Sequence, residues 1–173
     1  MNDELWTCEF WEATTVENAS KALESVTDIN IRNPNSQEET LLHTAVQTNT
    51  SKEVVELLLD RGADIEAYDK YNRTVLYEAA ESSTPEVVAL LLDRGANVNG
   101  SAQRIDTPLH IAAVFNKPEV VALLLDRGAD IEARSADGET PMNNATPLQY
   151  VLIHGRPEMV EFLRNRGAKD PRS

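Results

Sequence analysis

The string Leu-Leu-Leu-Asp-Arg-Gly occurs three times, at Leu57 to Gly62, Leu90 to Gly95 and Leu123 to Gly128, so the chain is assembled from copies of one small unit. The three glycines stand 33 residues apart, and a fourth, in Arg164-Asn-Arg-Gly-Ala168, follows Gly128 by 39. A second marker keeps the same beat: Thr40-Leu-Leu-His43, Thr74-Val-Leu-Tyr77, Thr107-Pro-Leu-His110 and Thr146-Pro-Leu-Gln149. Two independent markers in phase restrict the fold to a stacked supersecondary element, and 173 residues hold about five such units.

The stretch from Thr107 to Gly128 shows how one unit works. Thr107 offers a capping hydroxyl, Pro108 suits the first helical position, and Leu109, Ile111, Ala112 and Ala113 make a short apolar helix with small residues for close approach. The helix is expected to stop near Asn116, a residue that tolerates the left-handed conformation, with Gly155 at the matching place in the last unit. Pro118 then opens a second helix, as Pro85 and Pro157 do in theirs. Val120, Val121, Leu123, Leu124 and Leu125 form an apolar arc too wide for one contact, so neighbours must cover it on both sides. Arg127 sits at the negative end of this helix and Gly128 ends it as a left-handed cap. Asp130-Ile-Glu-Ala133 reads as an extended arm leading to the next threonine.

Thr-Pro-Leu-His-Ile-Ala-Ala, the 33-residue period and Leu-Leu-Leu-Asp-Arg-Gly-Ala-Asp-Ile together resemble ankyrin repeats. The resemblance spans Thr40 to Ala168 strongly and Glu12 to Asn30 weakly. It implies an all-α solenoid of antiparallel helix pairs, with β-hairpin-like fingers and a concave face formed by fingers and first helices. The expected division is a capping unit over residues 1–36, repeats over 37–69, 70–102 and 103–135, and a capping repeat with a six-residue finger insertion over 136–173.

Departures from the pattern carry more information than the matches, because the framework repeats and ligand choice does not. In the first unit Val26-Thr27-Asp28 replaces Gly-Ala-Asp, and Leu5, Trp6, Phe10 and Trp11 are spaced to pack one face. Asn99 to Asp106 lacks the turn residues of the other fingers: Ala102 stands for Asp, and β-branched Ile105 occupies a place that wants positive φ. In the last unit Thr140-Pro141-Met142 imitates a helix start. Thr146 lies nine residues before Gly155, the spacing of Thr107 to Asn116, so Thr146 begins the helix and Met142-Asn143-Asn144 enlarges the loop. Arg164-Asn165-Arg166 makes the outer face of this unit polar, as a closing unit requires.

The net charge of −13 argues against nucleic acid as a direct ligand and against an anionic membrane surface. It favours a cationic protein partner. The acidity is uneven, with −7 over residues 1–39, −8 over 40–154 and +2 over 155–173. A lone Cys8 excludes an intramolecular disulfide and fits a reducing compartment. No run approaches a membrane span, and the acidic Met1-Asn-Asp-Glu lacks a following apolar region, so a cytoplasmic monomer is expected. Export as an effector without an N-terminal signal is compatible with the same features.

No metal-ligand spacing, phosphate loop or nucleophile motif occurs, and no cofactor or catalysis is expected. His43 and His110 fill the Thr-x-Leu-His place, where the family resemblance implies hydrogen bonds to backbone between units. Asp64/Glu66 and Asp130/Glu132 recur with the framework and face no nucleophile. By the same resemblance the contact positions are Tyr68, Lys70, Tyr71 and Arg73 on one finger, Gln103, Arg104 and Asp106 on the next, and Arg134, Asp137 and Glu139 on the third. On the first helices they are Glu78, Glu81, Ile111, Val114, Phe115 and His154, with Gln47, Thr48, Ser82 and Ile153 beside them. Phe115 replaces Thr48, Ser82 and His154 of the other units, and either anchors a partner or packs under the irregular finger. The implied function is non-catalytic recognition of a protein or peptide, with an acidic inhibitor or effector that masks a basic surface as the alternative.

Overall fold

The computed structural model describes residues 3–33, 36–100, 106–115, 117–135 and 144–170. After a short 3-10 helix, Asp3–Trp6, come α1 (Cys8–Ala13) and α2 (Val16–Ala22), then a second 3-10 turn, Leu23–Ser25. Four helix pairs follow: α3 (Leu41–Gln47) with α4 (Lys52–Asp60), α5 (Val75–Ser82) with α6 (Pro85–Asp93), α7 (Pro108–Val114) with α8 (Pro118–Asp126), and α9 (Pro147–Ile153) with α10 (Pro157–Asn165). The first helices pack in sequence, α1 on α3, α3 on α5, α5 on α7 and α7 on α9, and the second helices from α2 to α8 form a parallel layer. Ankyrin-type stacking therefore places one core between two helical layers, with Leu42, Leu76, Leu109 and Leu148 almost wholly buried along it.

Each helix boundary has a chemical cause. Thr40, Thr74, Thr107 and Thr146 are extended residues whose hydroxyls accept the N–H three residues on. His43 and His110 complete the cap: each Nδ1 accepts the N–H of its threonine, so Nε2 carries the proton and donates across the unit boundary, to the carbonyls of Arg73 (3.2 Å) and Ala145 (3.0 Å). Burial holds both imidazoles below their ordinary pKa even though those carbonyls favour the charged form. Gln149 imitates the histidine, its Oε1 accepting from Thr146 N–H. The second helices stop at Gly62, Gly95, Gly128 and Gly167, all with φ between 88° and 97°. Arg127 caps α8, and its guanidinium reaches back to Asp93 of the preceding unit.

The segments after Gly62, Gly95 and Gly128 are compact turns, which corrects the extended arm expected of Asp130-Ile-Glu-Ala133. Asp64 Oδ1 and Asp130 Oδ1 each accept the N–H two residues ahead, and Ala67 and Ala133 bond back to the aspartate carbonyls. Asp in the turn outcompetes an extended backbone. The third residue of each turn then binds the next one: Asn30 accepts from Asp64 N–H, Glu66 from Asn97, Asn99 from Asp130 and Glu132 from Lys169. The recurrent acids are thus staples between units.

Among the described residues the fingers contain only isolated antiparallel bridges, Arg32 to Thr40 and Tyr68 to Thr74. Two residues before the capping threonine the backbone is left-handed, at Glu38, Asn72 and Asn144; Ile105 holds that place in the irregular finger and lies outside the described residues, as do Ala102 and Asn116. Gly100 takes φ 71° at the place of Ala67 and Ala133, and a Cβ there would meet Pro108 at 3.0 Å, so this finger leaves its turn differently. The inserted loop of the last unit closes at its base. Ser135 N–H donates to Ala145 O, and Asn144 N–H to Ser135 O, and His110 still reaches Ala145; residues 136–143, with Thr140-Pro141-Met142, lie outside the described residues.

In the first unit Trp11 is fully buried, its indole N–H donating to Leu5 O at 2.8 Å. Trp6 and Phe10 are half-buried against the same core, and Trp6 lines a cavity of about 350 Å³ with Val26, Ile31 and Leu41. Trp11→Ala should lower the unfolding free energy by about 3–5 kcal/mol in urea titration, whereas exposed Val16→Ala should stay within about 0.5 kcal/mol.

Candidate functional site

The side chains not consumed by stacking gather on the fingers and along the first helices. Tyr68 and Tyr71 are about half exposed, at 47% and 49%. Asp69, buried between them in sequence, organises their turn: its Oδ1 accepts the N–H groups of Tyr71 and Arg73, at 2.8 and 2.9 Å. The rings carry cations. Arg32 lies over Tyr68 at 5.4 Å, while Lys70 and Arg73 lie over Tyr71 at 4.9 and 5.2 Å.

Arg73 is the hub. Its guanidinium donates to Asp69 Oδ2 and Gln37 Oε1 and lies near Glu39 and Glu78, so residues from two fingers and α5 converge on one cation. Burial works against its charge, yet these carboxylates raise its pKa above the ordinary value. Glu78 Oε1 sits 2.6 Å from Arg73 Nη1 but off the N–H axis, held by charge without a hydrogen bond, while Oε2 accepts from Gln47 at 3.2 Å.

Glu78 corrects an expectation. At 3% exposure it is an inward member of this network and offers no open contact. Desolvation pushes its pKa up to about 7, with the Arg73 charge opposing and Glu81 assisting the rise. Asp106 is also committed, accepting from Tyr150 OH, and Arg134 donates to Asn144 O at the base of the inserted loop. Gln103, Arg104, Asp137 and Glu139 lie outside the described residues.

The remaining positions stand on the first helices. Glu81, Ile111 and Val114 are half-buried, and His154 is exposed with its Nδ1 donating to Tyr150 O. Phe115 follows α7 and is 48% exposed, on the helix side that continues into Ile153 at 56%. The earlier finger was missed by sequence reasoning: Arg32 donates to Tyr68 O, and Lys70 N–H to Gln37 O, so Arg32 and Gln37 join the same surface. Lys117 was missed too; its Nζ donates to Ser83 O across the α5–α7 boundary, and desolvation lowers its pKa.

Among the described residues no group of three His, Cys, Asp or Glu side chains could hold a metal ion, and no helix is long and apolar enough to cross a membrane. The family model for ankyrin repeats in three copies matches residues 12–102 and again 67–135, and the model for many copies matches 109–164. The chain belongs to the ankyrin-repeat family. No curated protein matches it significantly. Ankyrin repeats generally mediate protein–protein interaction, and proteins of the family are typically non-catalytic scaffolds. In this ankyrin-repeat protein the Arg73 network is where that scaffold carries an unusual electrostatic load.

Glu78 binds its proton more tightly folded than unfolded, so its contribution to stability is complete below about pH 4.5 and is lost as pH rises through about 7. The difference in unfolding free energy between wild type and Glu78→Gln should therefore change by on the order of 3 kcal/mol across that window, in favour of the variant at high pH. Urea titrations of both proteins at matched pH check the slope; the buried histidines cancel in the difference.

Proposed function

We propose that this protein binds a protein or peptide partner through the fingers and the first-helix face, without chemistry. The observation that carries the reading is the set of large side chains left outside the core. Tyr68, Tyr71, Phe115 and Ile153 are half exposed in a molecule whose central leucines and valines, among them Leu42, Leu76, Leu109, Val55 and Val121, are almost completely buried. Tyr and Phe set on rigid elements are the residues that dominate binding energy when a partner desolvates them.

Arg73, Asp69 and Glu78 act in this reading as supports that hold the Tyr71 finger against α5. Lys70, Glu81, Ile111, Val114 and His154 are the surrounding contacts, and Asp106 and Arg134 position the ends of their loops. Gln103, Arg104, Asp137 and Glu139 complete the proposed surface from the sequence pattern. A standard interface buries roughly 800 Å² on each partner, an area within reach of several fingers and four first helices.

Affinity capture from the native cell, wild type beside a Phe115→Ala/Tyr71→Ala protein, identifies what docks. In calorimetry with that partner, each single substitution should weaken the complex by more than about 2 kcal/mol while the thermal midpoint stays nearly unchanged. Equal losses of stability and affinity would show that these side chains serve the fold.

A further inference from the structure

The first helices change character along the stack. Positions four, seven and eight after each capping threonine share one helix side: Thr44, Gln47 and Thr48 on α3, Glu78, Glu81 and Ser82 on α5, Ile111, Val114 and Phe115 on α7, and Tyr150, Ile153 and His154 on α9. The rows meet, since α3, α5, α7 and α9 pack in sequence and Gln47 bonds Glu78 directly. The α3–α5 half is polar and acidic. The α7–α9 half exposes Phe115 and Ile153, at 48% and 56%, in consecutive units, where an ordinary surface scatters such residues singly.

Charge separates the halves further. Around the α3–α5 half, Glu39, Asp69, Glu78 and Glu81 face the cations Arg73 and Lys117, leaving carboxylates in excess at sites where water screens them incompletely. Exposed Arg32 and Lys70 sit out on the fingers over their tyrosine rings. In the α7–α9 half the carboxylate of Asp106 is occupied by Tyr150 OH.

Resting on the binding face proposed above, we infer that it receives one linear segment of a partner in which Lys or Arg residues and bulky apolar residues are segregated, the cations meeting α3–α5 and the apolar group α7–α9. Neighbouring helices lie about 8–10 Å apart, so the centres of the two halves are separated by roughly 16–20 Å. That distance corresponds to about five or six residues of extended chain or about 11–13 of helix.

The test is a displayed library of random 16-residue peptides panned on wild type, followed by synthesis of the enriched peptides. Expected are peptides with segregated basic and apolar clusters, bound at least tenfold more weakly by Glu81→Lys and by Phe115→Ser/Ile153→Ser. The Glu81→Lys loss should shrink in 0.5 M salt and the apolar loss should not. Thermal melts accompany each variant, and the milder Glu81→Gln and Ile153→Thr serve where a melt is lowered. Interleaving the same residues in one peptide should abolish binding. Enriched peptides that are acidic or unsegregated, or no enrichment at all, would overturn the inference. Peptides insensitive to these substitutions and to Tyr71→Ala would instead sink the binding face itself.

Discussion

Burial of one helix pair against the next is the interaction on which everything else in this protein depends. A unit of this size has an apolar arc on both sides of its second helix, as Val87, Val88, Leu90 and Leu91 of α6 illustrate, and cannot cover them from within. The apolar faces fix distance but not register. Register is set by polar groups that reach across each boundary: histidine Nε2 to the carbonyl before the next threonine, and the Asn or Glu of one turn to the N–H of the next. Because the histidines are buried, a slip would leave their donors and acceptors unpaired at a cost of about 1–3 kcal/mol each, while the turn bonds are exposed and add direction at the rim.

That division of labour explains how the stack tolerates irregular fingers. The inserted loop after α8 is pinched off by Ser135 and Ala145, and the carbonyl His110 needs is at its base, so loop length does not enter the stacking geometry. Gly100 solves the corresponding problem before α7 by yielding space to Pro108. Finger sequence can thereby vary without disturbing the helix stack.

Legibility followed the same line. The helix starts at Thr40, Thr74, Thr107 and Thr146, the glycine stops, and the true start after the false Thr140-Pro141 all followed from spacing, because capping chemistry is local and repeats. The compact turn at Asp130 was misread because two apolar–polar alternations look extended unless the Asp side chain is counted as a backbone partner. The candidate site was legible only in outline. Nothing in the periodicity says that Arg73 draws in Asp69, Glu39 and Glu78, since those contacts join segments up to 34 residues apart. Glu78 therefore read as a surface residue when it is nearly inaccessible.

The Arg73 network also has a consequence for how rigid the face is. A single guanidinium cannot give ideal hydrogen bonds to three carboxylates, and the geometry shows how they divide: Asp69 takes the directed bond, while Glu39, at 3.9 Å, and Glu78 are left with charge alone. The Asp69 arrangement belongs to the finger turn and is fixed by backbone N–H groups, whereas Glu78 belongs to α5. The weaker link thus lies between finger and helix. Burial, assisted by Glu81, holds the Glu78 pKa at about 7, so the carboxylate at this joint carries its charge only partly at neutral pH.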